Sequence, residues 1–186
     1  MRILGIDPGL RLTGYACIEG TLMAPTIVEA GVIRLDASDA SDPSESIPRR
    51  LLELERDLVD LLDRVAPDAV AVEGLFVHSD HVNTAVKMAH ARGVMLLTIR
   101  RAQLGLIEVK PAAVKKSLTG SGRATKAQMQ EGVRRVFGLA EAPRPADVAD
   151  ALAIALCAMA RDPSGAGAPR GLGAGFGGGR VRGGGG

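Results

Sequence analysis

The chain has 186 residues, which suits one domain with a real core. Hydrophobic residues make up 46% and charged residues 24%, an ordinary balance that excludes a disordered or fibrous protein. The net charge of +2 excludes little by itself, because the charge is unevenly spread. Aromatic content is 2%, with no Trp, one Tyr and three Phe, so the core must be aliphatic. No charged start leads into a signal-like apolar stretch, and no apolar run reaches the roughly 18 residues of a membrane helix. A cytoplasmic protein is expected.

Arg2 to Ile6 is short, apolar and closed by Asp7-Pro8-Gly9, which reads as a strand and a turn. Thr13 to Glu19 is a second strand, and the short connection favours an antiparallel pair. Thr26 to Leu35 is a third. Residues 36–44 form a polar loop. Ile47, Leu51, Leu54, Leu58, Leu61 and Val65 then step by four and three, the apolar stripe of a helix that Pro67 ends. Ala69 to Val72 is a buried strand, and it too ends on an acid, Glu73.

Val82, Val86, Ala89, Gly93 and Leu96 mark a second helix. Its small residues Ala85, Ala89, Ala91 and Gly93 suit close helix contact, within the chain or between subunits. Leu104 to Val109 is a fifth strand, and Pro111 starts a short helix. Residues 119–123 are a glycine-bearing loop. Lys126 to Phe137 is helical, and Pro145 opens a last helix to about Ala160. Beyond Asp162 the chain is low in complexity, with half of the 24 glycines, three arginines and no acid. That composition cannot bury enough apolar surface to order itself. Residues 1–162 therefore form the expected domain and 163–186 a Gly/Arg-rich flexible tail, a passive linker or a weak nucleic-acid contact.

Charge divides the domain. Asp36 to Asp68 carries ten acids and four bases, net −6. Val109 to Arg135 carries seven bases (Lys110, Lys115, Lys116, Arg123, Lys126, Arg134 and Arg135) and one acid, Glu131, net +6. One face is suited to a polyanion and another turned away from it. Cys17 and Cys157 lack metal-ligand spacing and are expected as buried free thiols. His78 and His81 are a weak zinc signal without cysteines, and His90 is expected to be structural.

Strands followed by a strand–helix alternation imply a mixed α/β sheet, whose ligand crevice lies at the carboxyl ends of the parallel strands. Asp7 and Glu73 each end a strand there. The last helix, PADVADALAIAL, adds Asp147 and Asp150 on one face near its start, with Val148, Leu152, Leu156 and Met159 on the core face. A like-charged pair is mildly unfavourable without a cation. Four carboxylates with no cysteine make a hard oxygen site, which selects Mg²⁺ or Mn²⁺ over Zn²⁺. Two such ions about 4 Å apart are a common device for displacement at a phosphodiester.

GIDPGLRLTGYACIE, VEGLFV, VKKSLTGSGRATKAQMQ and ADVADALAIALCA, in this order, resemble the RuvC-type Holliday junction resolvases over about residues 1–160. The resemblance implies a ribonuclease H-like fold, a five-stranded mixed sheet flanked by helices. It implies a homodimer that resolves four-way DNA junctions in recombination and repair, through paired symmetric nicks leaving 5′-phosphate and 3′-hydroxyl ends. The catalytic and metal-binding acids carry over to Asp7, Glu73, Asp147 and Asp150, and two Mg²⁺ or Mn²⁺ ions per site are expected. DNA-contacting lysines carry over to Lys115 and Lys126, within the basic segment that also holds Lys116 and Arg123. Phe76 is placed to stack on an unpaired base. The family's partners are the RuvA and RuvB branch-migration proteins. Competing readings are a ribonuclease H that cuts hybrids, a non-catalytic junction-binding module, and an actin-like ATPase, for which the chain is too short.

Overall fold

The computed structural model describes residues 1–35, 45–74 and 82–161. Three antiparallel strands come first: β1 (Arg2–Asp7), β2 (Leu12–Thr21) and β3 (Ala24–Arg34). They are followed by α1 (Ser46–Val65), β4 (Ala69–Glu73), α2 (Val82–Arg101), β5 (Gly105–Val109), α3 (Pro111–Thr119), α4 (Lys126–Val136) and α5 (Ala146–Arg161). The sheet order is β3-β2-β1-β4-β5, with β1–β4 and β4–β5 parallel and the other pairs antiparallel. This is the expected mixed sheet, in the ribonuclease H-like arrangement.

Side-chain alternation along each strand feeds two cores. Ile3, Ala16, Ile18, Ala71 and Val109 face α3, α4 and α5. Leu4, Ile6, Cys17, Val70 and Val72 face α1 and α2. Both cysteines are buried free thiols, and burial pushes the Cys17 thiol up to about 11. α1 buries Leu54, Leu58, Leu61 and Val65 as its stripe predicts, and Leu62 with them. It ends on Ala66 in the left-handed region (φ 42°), whose N–H donates to the Leu62 carbonyl, just before Pro67.

Two helices differ from their sequence pattern. α5 is buried on nearly every side: Ala149, Ala151, Ala153, Ala155 and Ala158 are enclosed along with the larger residues. It lies between the sheet and the α3–α4 pair, so it has no solvent face over most of its length. α2 buries Ala91, Arg92, Met95, Thr98 and Ile99, whereas Val86, Ala89 and Gly93 face outward. His90 is exposed as well.

Glycine sets how closely α5 approaches the sheet. A Cβ on Gly5 would overlap the Ala151 carbonyl oxygen, and one on Gly14 would overlap that of Asp147. Only a residue without a side chain lets the helix backbone sit directly on the strands at these points.

Candidate active site

β1 and β4 run parallel with Ile6 opposite Val72. One step further, Asp7 and Glu73 end the two central strands side by side, at the strand spacing of about 4.8 Å. On its other flank Asp7 pairs with Gly14 of β2. The bare Gly14 carries the backbone of Asp147 against it, so the register of β1 and β2 fixes where α5 begins. One turn along α5 stands Asp150. The loop after Asp7 is braced by Thr13, whose hydroxyl donates to the Gly9 carbonyl at 2.6 Å and accepts from the Gly9 N–H.

Asp7, Glu73 and Asp150 line a cavity of about 260 Å³ with Lys115 and Lys126. Pro111, Val114, Met129 and Ile154 complete it with apolar surface. Asp147 is adjacent, close enough to act on Asp7 and Asp150 by its charge. All four acids are half-buried. Burial, then the charges of Asp150, Glu73 and Asp147, push Asp7 up to about 7, against the pull of Lys126. Burial and Asp150 raise Glu73, offset by Lys115. Asp150 is raised mainly by burial and drawn back by Lys126, whose Nζ lies 3.7 Å from its Oδ2.

The donor set is hard, all-oxygen and short of positive charge, which fits a divalent cation. As the side chains stand, no three His, Cys, Asp or Glu among the described residues converge tightly enough to hold an ion.

Lys116 and Arg123 are exposed on the same α3–loop–α4 unit but do not line the cavity. Arg134 and Arg135 both bond Glu131, at 2.7 Å through each Nε, which mutes that end of the basic segment. Phe76, His78, His81 and the tail lie outside the described residues. The apolar cavity wall and the glycine contacts were missed by sequence reasoning. Gly5, a lone glycine inside an apolar strand, was the available signal of close backbone approach.

The strand order, with carboxylates ending both central strands and more on the helix beneath, defines a ribonuclease H-like protein with an acid-lined cleft. A family model described as Crossover junction endodeoxyribonuclease RuvC matches residues 3–158. The protein of that name from Chloroflexus aggregans is 45% identical over 159 residues, covering 84% of this chain and 92% of its own. Among solved structures, T. thermophilus RuvC in complex with Holliday junction substrate is 31% identical with a TM-score of 0.76, over 88% of this chain and 96% of that one. A second Thermus thermophilus RuvC structure is 33% identical with a TM-score of 0.72, over 84% and 92%. The chain belongs to the RuvC family of crossover junction endodeoxyribonucleases, nucleases that depend on divalent metal. No helix among the described residues is long and apolar enough to cross a membrane.

Proposed function

We propose that this protein resolves four-way DNA junctions by hydrolysing phosphodiesters at the cleft of Asp7, Glu73, Asp147 and Asp150. The observation that carries this is the gathering of four half-buried acids from β1, β4 and α5 at one end of the sheet, in a chain of the RuvC family. Water attacks phosphorus in line, the bond to the 3′ oxygen breaks, and 5′-phosphate and 3′-hydroxyl ends remain. Two Mg²⁺ or Mn²⁺ ions held by the acids would supply Lewis acidity for the attacking water and charge neutralisation for the leaving oxygen. Asp7, flanked by Glu73 on one side and the α5 acids on the other, is placed to serve both parts of the site. Lys115 and Lys126 at the rim, with Lys116 and Arg123 beyond, position the backbone phosphates. Phe76 follows Glu73 by three residues and is assigned to base stacking.

Paired nicks need two sites, so the protein is read as a homodimer. The outward face of α2, with Val86 and Leu97 about half exposed and nothing within 4 Å of a Cβ built on Gly93, supports that reading. Gly93→Glu should convert a dimer to monomers in sedimentation. The related T. thermophilus protein was solved with a Holliday junction substrate, which supports the same substrate here. RuvA and RuvB are the proposed partners, and the cytoplasm the proposed location. Residues 1–162 are assigned to the nuclease unit and 163–186 to a tail; the family match ending at residue 158 supports this division.

The test is cleavage of a labelled synthetic four-way junction in Mg²⁺, Mn²⁺ or EDTA, beside linear duplex and RNA–DNA hybrid. Paired metal-dependent nicks confined to the junction, abolished by Asp7→Asn, are expected. Cutting of the hybrid alone would reassign the substrate, and tight binding without cutting in either metal would leave a junction-binding module.

A further inference from the structure

Three carboxylates and two lysines line the cleft, and one lysine is already engaged with an acid. Lys126 is the first residue of α4. A helix N-terminus favours negative charge, so this is a poor place for a cation. No acid in the first turn of α4 offsets it. The helix start is pinned by a capping box: the Thr125 hydroxyl accepts from the Gln128 N–H, and the Gln128 side chain accepts from the Thr125 N–H at 2.8 Å. Lys126 therefore leaves from an anchored backbone, with a side chain 66% exposed, and finds its counter-charge across the cleft at Asp150.

We propose that Lys126 is a built-in competitor for the cation site, holding Asp150 until a divalent cation takes that carboxylate and frees the lysine for a DNA phosphate. The proposal rests on the reading of the four acids as the metal site. Lys126 is then a positioning residue with two exclusive uses. Metal binding makes a phosphate contact available, and DNA binding withdraws the lysine that competes with metal. By linkage each ligand raises affinity for the other. An ion pair this exposed is weak, so the effect is modest, about two- to fivefold.

The test is Mn²⁺ binding to the DNA-free protein at low ionic strength, read by electron paramagnetic resonance. Wild type, K126Q, K126R and D7N are compared, with folding checked by circular dichroism. K126Q should bind Mn²⁺ about two- to fivefold more tightly than wild type, and K126R, which keeps the charge, should match wild type. If wild type binds above the D7N background and K126Q binds no tighter, the competitor role is wrong while the metal site stands. If neither wild type nor K126Q binds above D7N, the metal-site reading falls, and the proposal with it.

Discussion

Gly14→Ala tests whether the glycine contacts place the active-site helix. The added Cβ would overlap the Asp147 carbonyl oxygen and lie 2.7 Å from its carbon and 3.1 Å from its Cβ. Ordinary contact begins near 3.4 Å, and the obstacle is backbone, so no rotamer change relieves it. The start of α5 must retreat by about 1 Å, the scale at which a misplaced group costs about 100-fold in rate. Overpacking of this kind also costs about 2 kcal/mol of stability. Lys115 and Lys126 sit on other helices, so junction binding should change less than about threefold. Urea unfolding, single-turnover cleavage and junction binding separate the three quantities. Cleavage by Gly14→Ala within threefold of wild type would show that Asp147 and Asp150 are not placed through this contact.

The metal-free protein should lose stability as pH rises from about 4 to 7. Asp7 is raised to about 7 from an ordinary 3.8, so the native state holds a proton that the unfolded state has released, at most about 4 kcal/mol by pH 7. Glu73 and Asp150 are raised too and act in the same direction. Urea midpoints in EDTA should fall across that window, and Asp7→Asn should remove most of the slope; an unchanged slope would show that Asp7 is not its source. A second prediction concerns Arg92, a buried guanidinium whose Nη2 lies 3.0 Å from Glu108 Oε2 and whose Nη1 has no partner among the described residues. Glu108 is more than half exposed, so the two partners are not equivalent. Glu108→Gln strands a buried charge and should cost about 2 kcal/mol, whereas Arg92→Met removes that charge and should stay within about 1 kcal/mol of wild type in urea unfolding. Equal losses would contradict the asymmetry.

The strands and α1 were legible because each has one strong period: alternation or continuous apolarity between turns, or a single stripe. α2 was legible as a helix, but its buried face was not, because small and apolar residues fall on both of its faces. Periodicity marked Val86, Ala89 and Gly93, yet the sheet takes Ala91, Met95 and Ile99. Burial of α5 was underestimated for a related reason. The expected core face held only the stripe of Val148, Leu152, Leu156 and Met159, whereas the alanines are enclosed as well and let the helix pass between the sheet and α3–α4. The acids stood out because a carboxylate at the end of an apolar strand has few structural uses. The pairing of Lys126 with Asp150 joins residues 24 apart through the packing of α4 on α5, which no local pattern encodes.

These observations explain why the acids come from such stiff places. Four like charges in a half-buried cleft repel, and on flexible loops they would move apart into water. Here Asp7 and Glu73 are held by strands hydrogen-bonded on both sides. Asp147 and Asp150 are held by a helix enclosed from its second turn onward, whose start rests on a bare glycine directly across from Asp7. The folding energy of two cores thus keeps the carboxylates near one another against their repulsion. Burial first, and then that repulsion, raises Asp7, and Lys126 at the rim partly relieves it. A cation would relieve it further, so the same repulsion that costs stability in the metal-free protein favours metal binding.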